Sequence, residues 1–433
     1  KIMKNVFLTV LFSIFFYQEV FAVTLSEALL QTYKNNTELN AERENISISK
    51  KDLKISKSEY LPSVTIASSK SKEDTDKLTN RSGGDVATKD VNPLTSSITI
   101  QQTLIDLGRN AEIKKNEIGI DLAEAKLIKK EQEILLKAIE AYSGLILANQ
   151  KFKINQSNLA LLERQVETDR ARLERGQIAL PDLSQSEASL AGAKAKFIQS
   201  KNEITTNKLN YENVIGPISN INSLSKNSDV NIILPQTLNN AFAISKKSNP
   251  NLIIAKLEYE QSEKDVLIAR SDLSPTAKLS FENSRSEDFS SIYDERNKSI
   301  LKATVSWPIY SGGKNRASLS KNRNLKNKKK LLLDNALKTN DTNVASAWST
   351  FQTSKSLLNS VKSQVKAAEI ANEGIVAEYE SGLGRSTLDV IQSNSFLLDS
   401  KVSLANSERN YLLAQFKLLQ SIGLLNSSHL KIK

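Results

Sequence analysis

The side chains that carry most hydrolytic, redox and metal chemistry are nearly missing from this 433-residue chain, which has one histidine, His429, and no cysteine. Histidine is the usual proton carrier near neutral pH and the commonest metal ligand. Without thiols there are neither disulfides nor thiolate metal sites. Carboxylate-only catalysis survives in principle, but it needs a concave site and no motif points to one. The chain therefore reads as no enzyme, with no cofactor and no metal. Lys and Arg number 59 against 48 Asp and Glu, a formal charge of +11. A basic balance can signal nucleic acid. Here the lysines lie along helical stretches among glutamates, apart from the short run at residues 328–330. The charge reads as solvated helix surface near anionic lipid, with no nucleic-acid partner.

The elements begin after an expected export signal at residues 1–22. Lys1 and Lys4 give a positive start, residues 6–16 are apolar but for Thr9 and Ser13, and Val20-Phe21-Ala22 offers a small-x-small cleavage pattern. That run is too short to span a bilayer, so cleavage is expected, with the mature chain opening near Val23. No later run of about 20 apolar residues occurs, so no transmembrane helix is expected. A β-barrel, whose sequence signal is far weaker, stays open.

The rest is a duplicated unit. Asn36-Thr37-Glu38-Leu39 matches Asn249-Pro250-Asn251-Leu252, and Ser58-Glu59-Tyr60-Leu61-Pro62 matches Ser271-Asp272-Leu273-Ser274-Pro275 at the same offset. Gln102-Thr103-Leu104-Ile105-Asp106-Leu107-Gly108-Arg109 answers Trp307-Pro308-Ile309-Tyr310-Ser311-Gly312-Gly313-Lys314. Leu173-Glu174-Arg175-Gly176 then pairs with Tyr379-Glu380-Ser381-Gly382, and Asp182-Leu183 with Asp389-Val390. Matches in one order are the mark of a repeat. We read a first repeat over residues 23–213, a connecting equatorial segment over 214–236, a second repeat over 237–425 and a tail over 426–433.

Within each repeat a helix, from Leu39 to Leu61 and from Leu252 to Leu273, climbs to a proline that stops it. A strand pair follows, at about residues 63–103 and 276–309. Val64 and Ile66 alternate with Ser63 and Thr65, and Leu279 and Phe281 with Lys278 and Ser280, the period of a half-buried strand. Next come proline-free stretches from about Arg109 to Arg175 and from Asn315 to Glu380. Ile113, Ile120, Leu127 and Ile134 recur every seven residues in the first. A helix of that span is on the order of 100 Å long, too long for an ordinary globular element. Gly176 and Gly382 mark reversals, and a second helix returns from each.

Four amphipathic strands cannot close a membrane barrel, for which about eight are the minimum, and open edges in lipid are costly. Several chains must pool their strands, and three would give twelve. Trp307, Tyr310 and Tyr60 fall at the strand–helix junctions, where interfacial aromatics are expected.

In this duplicated order the sequence resembles the TolC outer-membrane efflux protein family, along nearly the whole mature chain. The resemblance implies a mixed membrane α+β fold: a trimeric twelve-stranded outer-membrane β-barrel, four strands per chain, continuous with a long periplasmic α-helical barrel. It implies a homotrimer in outer-membrane lipid, docking to an inner-membrane pump through a periplasmic adaptor, and passive exit of efflux or type I secretion substrates. It also implies a gate at the helix tips. By position Asp182 resembles the gate acceptor, Tyr379 the gate tyrosine and Arg385 the gate arginine, while Asp389 resembles an entrance-ring acid. Gln392 stands where the family usually has a second aspartate, and one extra residue lies between Gly382 and Asp389. The rival reading, a structural or adhesive coiled-coil envelope protein, explains the heptads but neither the strands nor the duplication. A periplasmic adaptor would flank one helical hairpin with β-domains, whereas here two hairpins alternate with two strand pairs.

Overall fold

The computed structural model describes residues 23–86, 90–226, 228–230, 232–382 and 384–432, and the expected leader lies outside them. The first repeat runs through α1 (Leu25–Asn35), α2 (Thr37–Ser58) and β1 (Ser63–Lys70). A loop then carries the short strands β2 (Leu78–Thr79) and β3 (Asp85–Val86) ahead of β4 (Leu94–Ile105), α3 (Arg109–Glu174) and α4 (Leu180–Val214). The second has α5 (Leu238–Ser248), α6 (Pro250–Ser271), β5 (Thr276–Glu287), β6 (Glu295–Ser306), α7 (Lys314–Glu380) and α8 (Thr387–Ser421). Helix lengths repeat closely: 66 and 67 residues for α3 and α7, and 35 each for α4 and α8.

The helices expected from Leu39 and Leu252 are each preceded by a separate short helix, and an asparagine makes the joint. Asn36 Oδ1 accepts the Leu39 N–H at 3.1 Å, and Asn249 Oδ1 accepts that of Asn251 at 2.9 Å. Both are N-cap bonds, and Pro250 suits the first helical position because that N–H has no helical partner. The strand expected to reach residue 309 stops at Ser306, since Pro308 has no N–H to give a ladder. Trp307 lies just beyond, its Nε1 donating to Leu273 O at 3.1 Å.

One compact unit contains Ala41–Lys129 and Asn249–Asp341, and holds an antiparallel sheet in the order β1-β4-β5-β6. The repeats therefore meet at the β4–β5 pair. Cross-strand partners share a face, so Val64, Ile100, Phe281 and Leu301 form one apolar row, extended by Leu279 with Ala303 and Ala277 with Val305. The opposite face carries Gln101, Ser280 and Lys302 in one row and Thr65, Thr99 and Glu282 in the next, which Ile300 completes. A bulge between Thr103 and Ile105 returns Ile105 to the apolar side, opposite Ala277. At the sheet end the Arg109 guanidinium stacks on Tyr60 at 4.5 Å and donates twice to Thr103 O at 3.2 Å.

The other unit takes, among the described residues, 23–40, Lys130–Ser248 and 342–432. Its core packs Leu25 and Leu29 of α1 against Leu135, Ile139 and Leu145 of α3 and Phe416, Leu418 and Leu419 of α8, none more than 1% exposed. Ile215, Ile218 and Val230 of the connecting segment join it. Away from this core α7 and α8 are held by polar pairs, Asn372 Nδ2 to Asn394 Oδ1 at 2.7 Å and Gln364 Nε2 to Ser400 Oγ at 3.2 Å. Among the described residues no helix is long and apolar enough to cross a membrane.

Candidate functional site

The residues implied as a gate lie around the two helix-to-helix turns of the second unit. α3 ends where Gly176 takes φ +70°, with the Gly176 N–H on Leu173 O and the Gln177 N–H on Arg172 O, each at 2.9 Å. This is a left-handed helix reversal that favours glycine. α4 then opens with Asp182 Oδ2 accepting the Ala179 N–H at 3.1 Å. α7 reverses likewise at Gly382, φ +73°. α8 opens on a full capping box: the Asp389 N–H donates to Ser386 Oγ at 3.2 Å, and the Ser386 N–H to Asp389 Oδ2 at 2.9 Å. Asp182 and Asp389 thus hold equivalent places in the duplication. A second glycine in the left-handed region, Gly384 at φ +83°, accommodates the extra residue of the second turn.

The electrostatics follow from these bonds. The Ser386 backbone N–H, then its hydroxyl, hold the Asp389 carboxyl below the usual carboxylate range, with Arg385 adding a smaller pull. Arg385 Nε donates to Glu378 Oε2 at 2.6 Å, and that contact raises the arginine's pKa. The pair is exposed, so it adds little to stability. Gln392 is exposed, less than one helical turn beyond Asp389 on α8.

Asp182, Tyr379 and Arg385 come together on the walls of one groove of about 470 Å³, but each is bonded elsewhere. Asp182 caps α4, Arg385 holds Glu378, and Tyr379 Oη donates to Asp169 Oδ1 at 3.0 Å. Asp169 is fully buried and also accepts from Ser186 Oγ at 2.5 Å and from Gln165 Nε2, at 3.0 and 3.1 Å to its two oxygens. Because the one Tyr379 hydroxyl proton goes to the acid, Thr387 Oγ1, 3.1 Å away, donates to the tyrosine. The Arg172 guanidinium covers the Tyr379 ring at 4.4 Å.

None of Asp169, Ser186, Gln165 or Thr387 was read from the sequence as part of the site. One signal was present. Asp169 falls on the seven-residue series of Ile113, Ile120, Leu127 and Ile134, which continues through Ala141, Ala148, Asn155 and Leu162. An acid in a buried stripe needs partners, because an unpaired buried charge is costly.

The family model described as outer membrane efflux protein matches residues 28–216 and 244–424. The outer membrane efflux protein BepC of Brucella suis is 25% identical over 418 residues, covering 96% of this chain and 89% of that protein. The outer membrane protein TolC of Escherichia coli is 21% identical over 355 residues, covering 78% and 71% respectively. Among solved structures, the CmeC outer membrane channel of Campylobacter jejuni superposes with a TM-score of 0.79 at 15% identity, over 92% of this chain and 85% of that one.

Proposed function

Because the chain belongs to the outer membrane efflux protein family, we propose that it is one subunit of a homotrimeric exit duct, gated at its helical turns. In this reading it serves an inner-membrane pump through a periplasmic adaptor. The family consists of outer-membrane channels rather than enzymes, so the duct performs no chemistry and the pump supplies the energy for efflux or type I secretion.

The observation that carries the trimer is the open sheet. It has one apolar face and two edges, β1 and β6, that run antiparallel to each other. On that face Val64, Ile66, Leu301 and Val305 are 62–77% exposed. In lipid such edges must be paired, and β6 of one copy can pair β1 of the next in the same sense as every internal pair. Three copies of this four-stranded sheet give twelve strands, an even number within the range of membrane barrels. The polar rows then face the lumen. α3 and α7, at 66 and 67 residues, are each about 100 Å long, enough for a periplasmic helical extension. A structural rod has no use for a sheet with an exposed apolar face.

At the turns, Asp182, Tyr379 and Arg385 form the gate groove, and Asp389 with Gln392 rings the mouth. A threefold ring with one acid per chain attracts cations, less strongly than a ring with two.

Native mass measurement of the detergent-extracted protein, with planar-bilayer recording of the same sample, tests this. A heat-sensitive trimer that forms pores is expected. A monomeric, detergent-independent rod without pore activity would refute it.

A further inference from the structure

We propose that Asp169 is the acid on which the tip is latched shut: through Tyr379 it fastens the α7/α8 hairpin to the α3/α4 hairpin within one protomer. This rests on the gated-channel reading. One buried network draws on all four helices, with Gln165 and Asp169 on α3, Ser186 on α4, Tyr379 on α7 and Thr387 on α8. Asp169 and Ser186 are 0% exposed, Thr387 3% and Tyr379 8%.

Asp182, the acceptor suggested by position, has an oxygen on the Ala179 N–H and acts as a helix cap. Asp169 instead meets the tyrosine hydroxyl directly, while Arg172, one turn along the same helix, holds the ring face. α3 therefore grips Tyr379 at both its hydroxyl and its ring.

The network is also poised to break as a unit. A buried carboxylate is tolerated only while donors surround it. If the hairpins part, Asp169 loses Tyr379 and must be hydrated, and water that enters with the opening can replace the lost hydroxyl. Intermediate separations, with the acid neither bonded nor wet, are disfavoured. The result is a closed and an open arrangement with little between them.

The experiment uses the full chain in planar bilayers, with D169N, Y379F and D182N made singly and as the Y379F/D169N and Y379F/D182N pairs. Asn at 169 keeps the shape but puts an amide donor among donors. D169N and Y379F should each raise the open population about tenfold, the size expected for losing one charge-assisted hydrogen bond. The Y379F/D169N pair should open no further than either single change, whereas Y379F/D182N should multiply the two separate effects. If D169N does not assemble, S186A, which strips a different donor from the same acid, takes its place in the cycle. Open populations unchanged by D169N, or Y379F coupled to D182N instead, would overturn the latch and leave the channel reading intact. A wild-type protein that forms no pore would overturn both.

Discussion

Leu301→Arg tests the orientation of the sheet directly. Leu301 is 71% exposed and shares the apolar row of Val64, Ile100 and Phe281. If that face meets water, an exposed Leu→Arg change alters stability by no more than about 0.5 kcal/mol. If it meets lipid, depth decides the cost. Leu301 is six residues from Trp307 at the junction, which at about 3.3 Å per residue and a tilt near 40° is about 15 Å of height. An apolar band is about 25 Å tall, so Leu301 lies near its middle, where arginine costs about 2–4 kcal/mol. Three copies in one barrel would lose about 6–12 kcal/mol. Thr65→Arg is the control: Thr65 pairs with Thr99 on the polar face and should lose no more than about 0.5 kcal/mol. The assay is survival of the oligomer on unheated detergent gels across a temperature series, with refolding into vesicles as a second measure. Equal stability of L301R and T65R would refute the assignment of faces.

Three further outcomes follow from the turns and joints. Arg385→Ser should raise single-channel conductance, since it removes the guanidinium that lines the proposed gate groove with Asp182 and Tyr379; unchanged conductance in planar bilayers removes Arg385 from the proposed gate. Asn249→Ala removes both the cap of α6 and the 2.9 Å bond to buried Asn340, and should cost about 1–3 kcal/mol in urea unfolding. The Asp389 carboxyl is held low by Ser386, so its capping contribution is present above the ordinary carboxylate pKa of about 3.9 and lost as pH falls through the lowered folded value. Amide exchange at Ser386 and Asp389, corrected for its intrinsic pH dependence, should accelerate in that acid window in the wild type and show no such transition in Asp389→Asn.

The long helices were legible because neither proline nor a turn cluster falls between Arg109 and Arg175, and because a seven-residue apolar series is hard to satisfy otherwise. The strands were legible from their alternation, with β4 the harder case: Leu104 and Ile105 are both apolar, so the bulge that re-aims one of them left no trace in the pattern. The joint at Asn36 went unread because asparagine alone is compatible with a helix, although its duplicate Asn249-Pro250 carries a stop signal. The residues that the family resemblance implies as a gate were locatable by position, yet their partners were not. Asp169 meets Tyr379 across 210 residues of sequence, and such a pairing depends on how two hairpins settle side by side. No local periodicity encodes it.

If three copies close one barrel as proposed, the even number of strands in the four-stranded sheet has a consequence for assembly. Every joint of a three-membered ring is the same head-to-tail contact between β6 and β1. A lone copy has two raw edges, and two copies joined together still have two. The third copy makes two joints at once and leaves none. Strand pairing in lipid therefore rewards only the completed ring, and assembly should scale steeply, close to the cube of subunit concentration, with no stable halfway species in the bilayer.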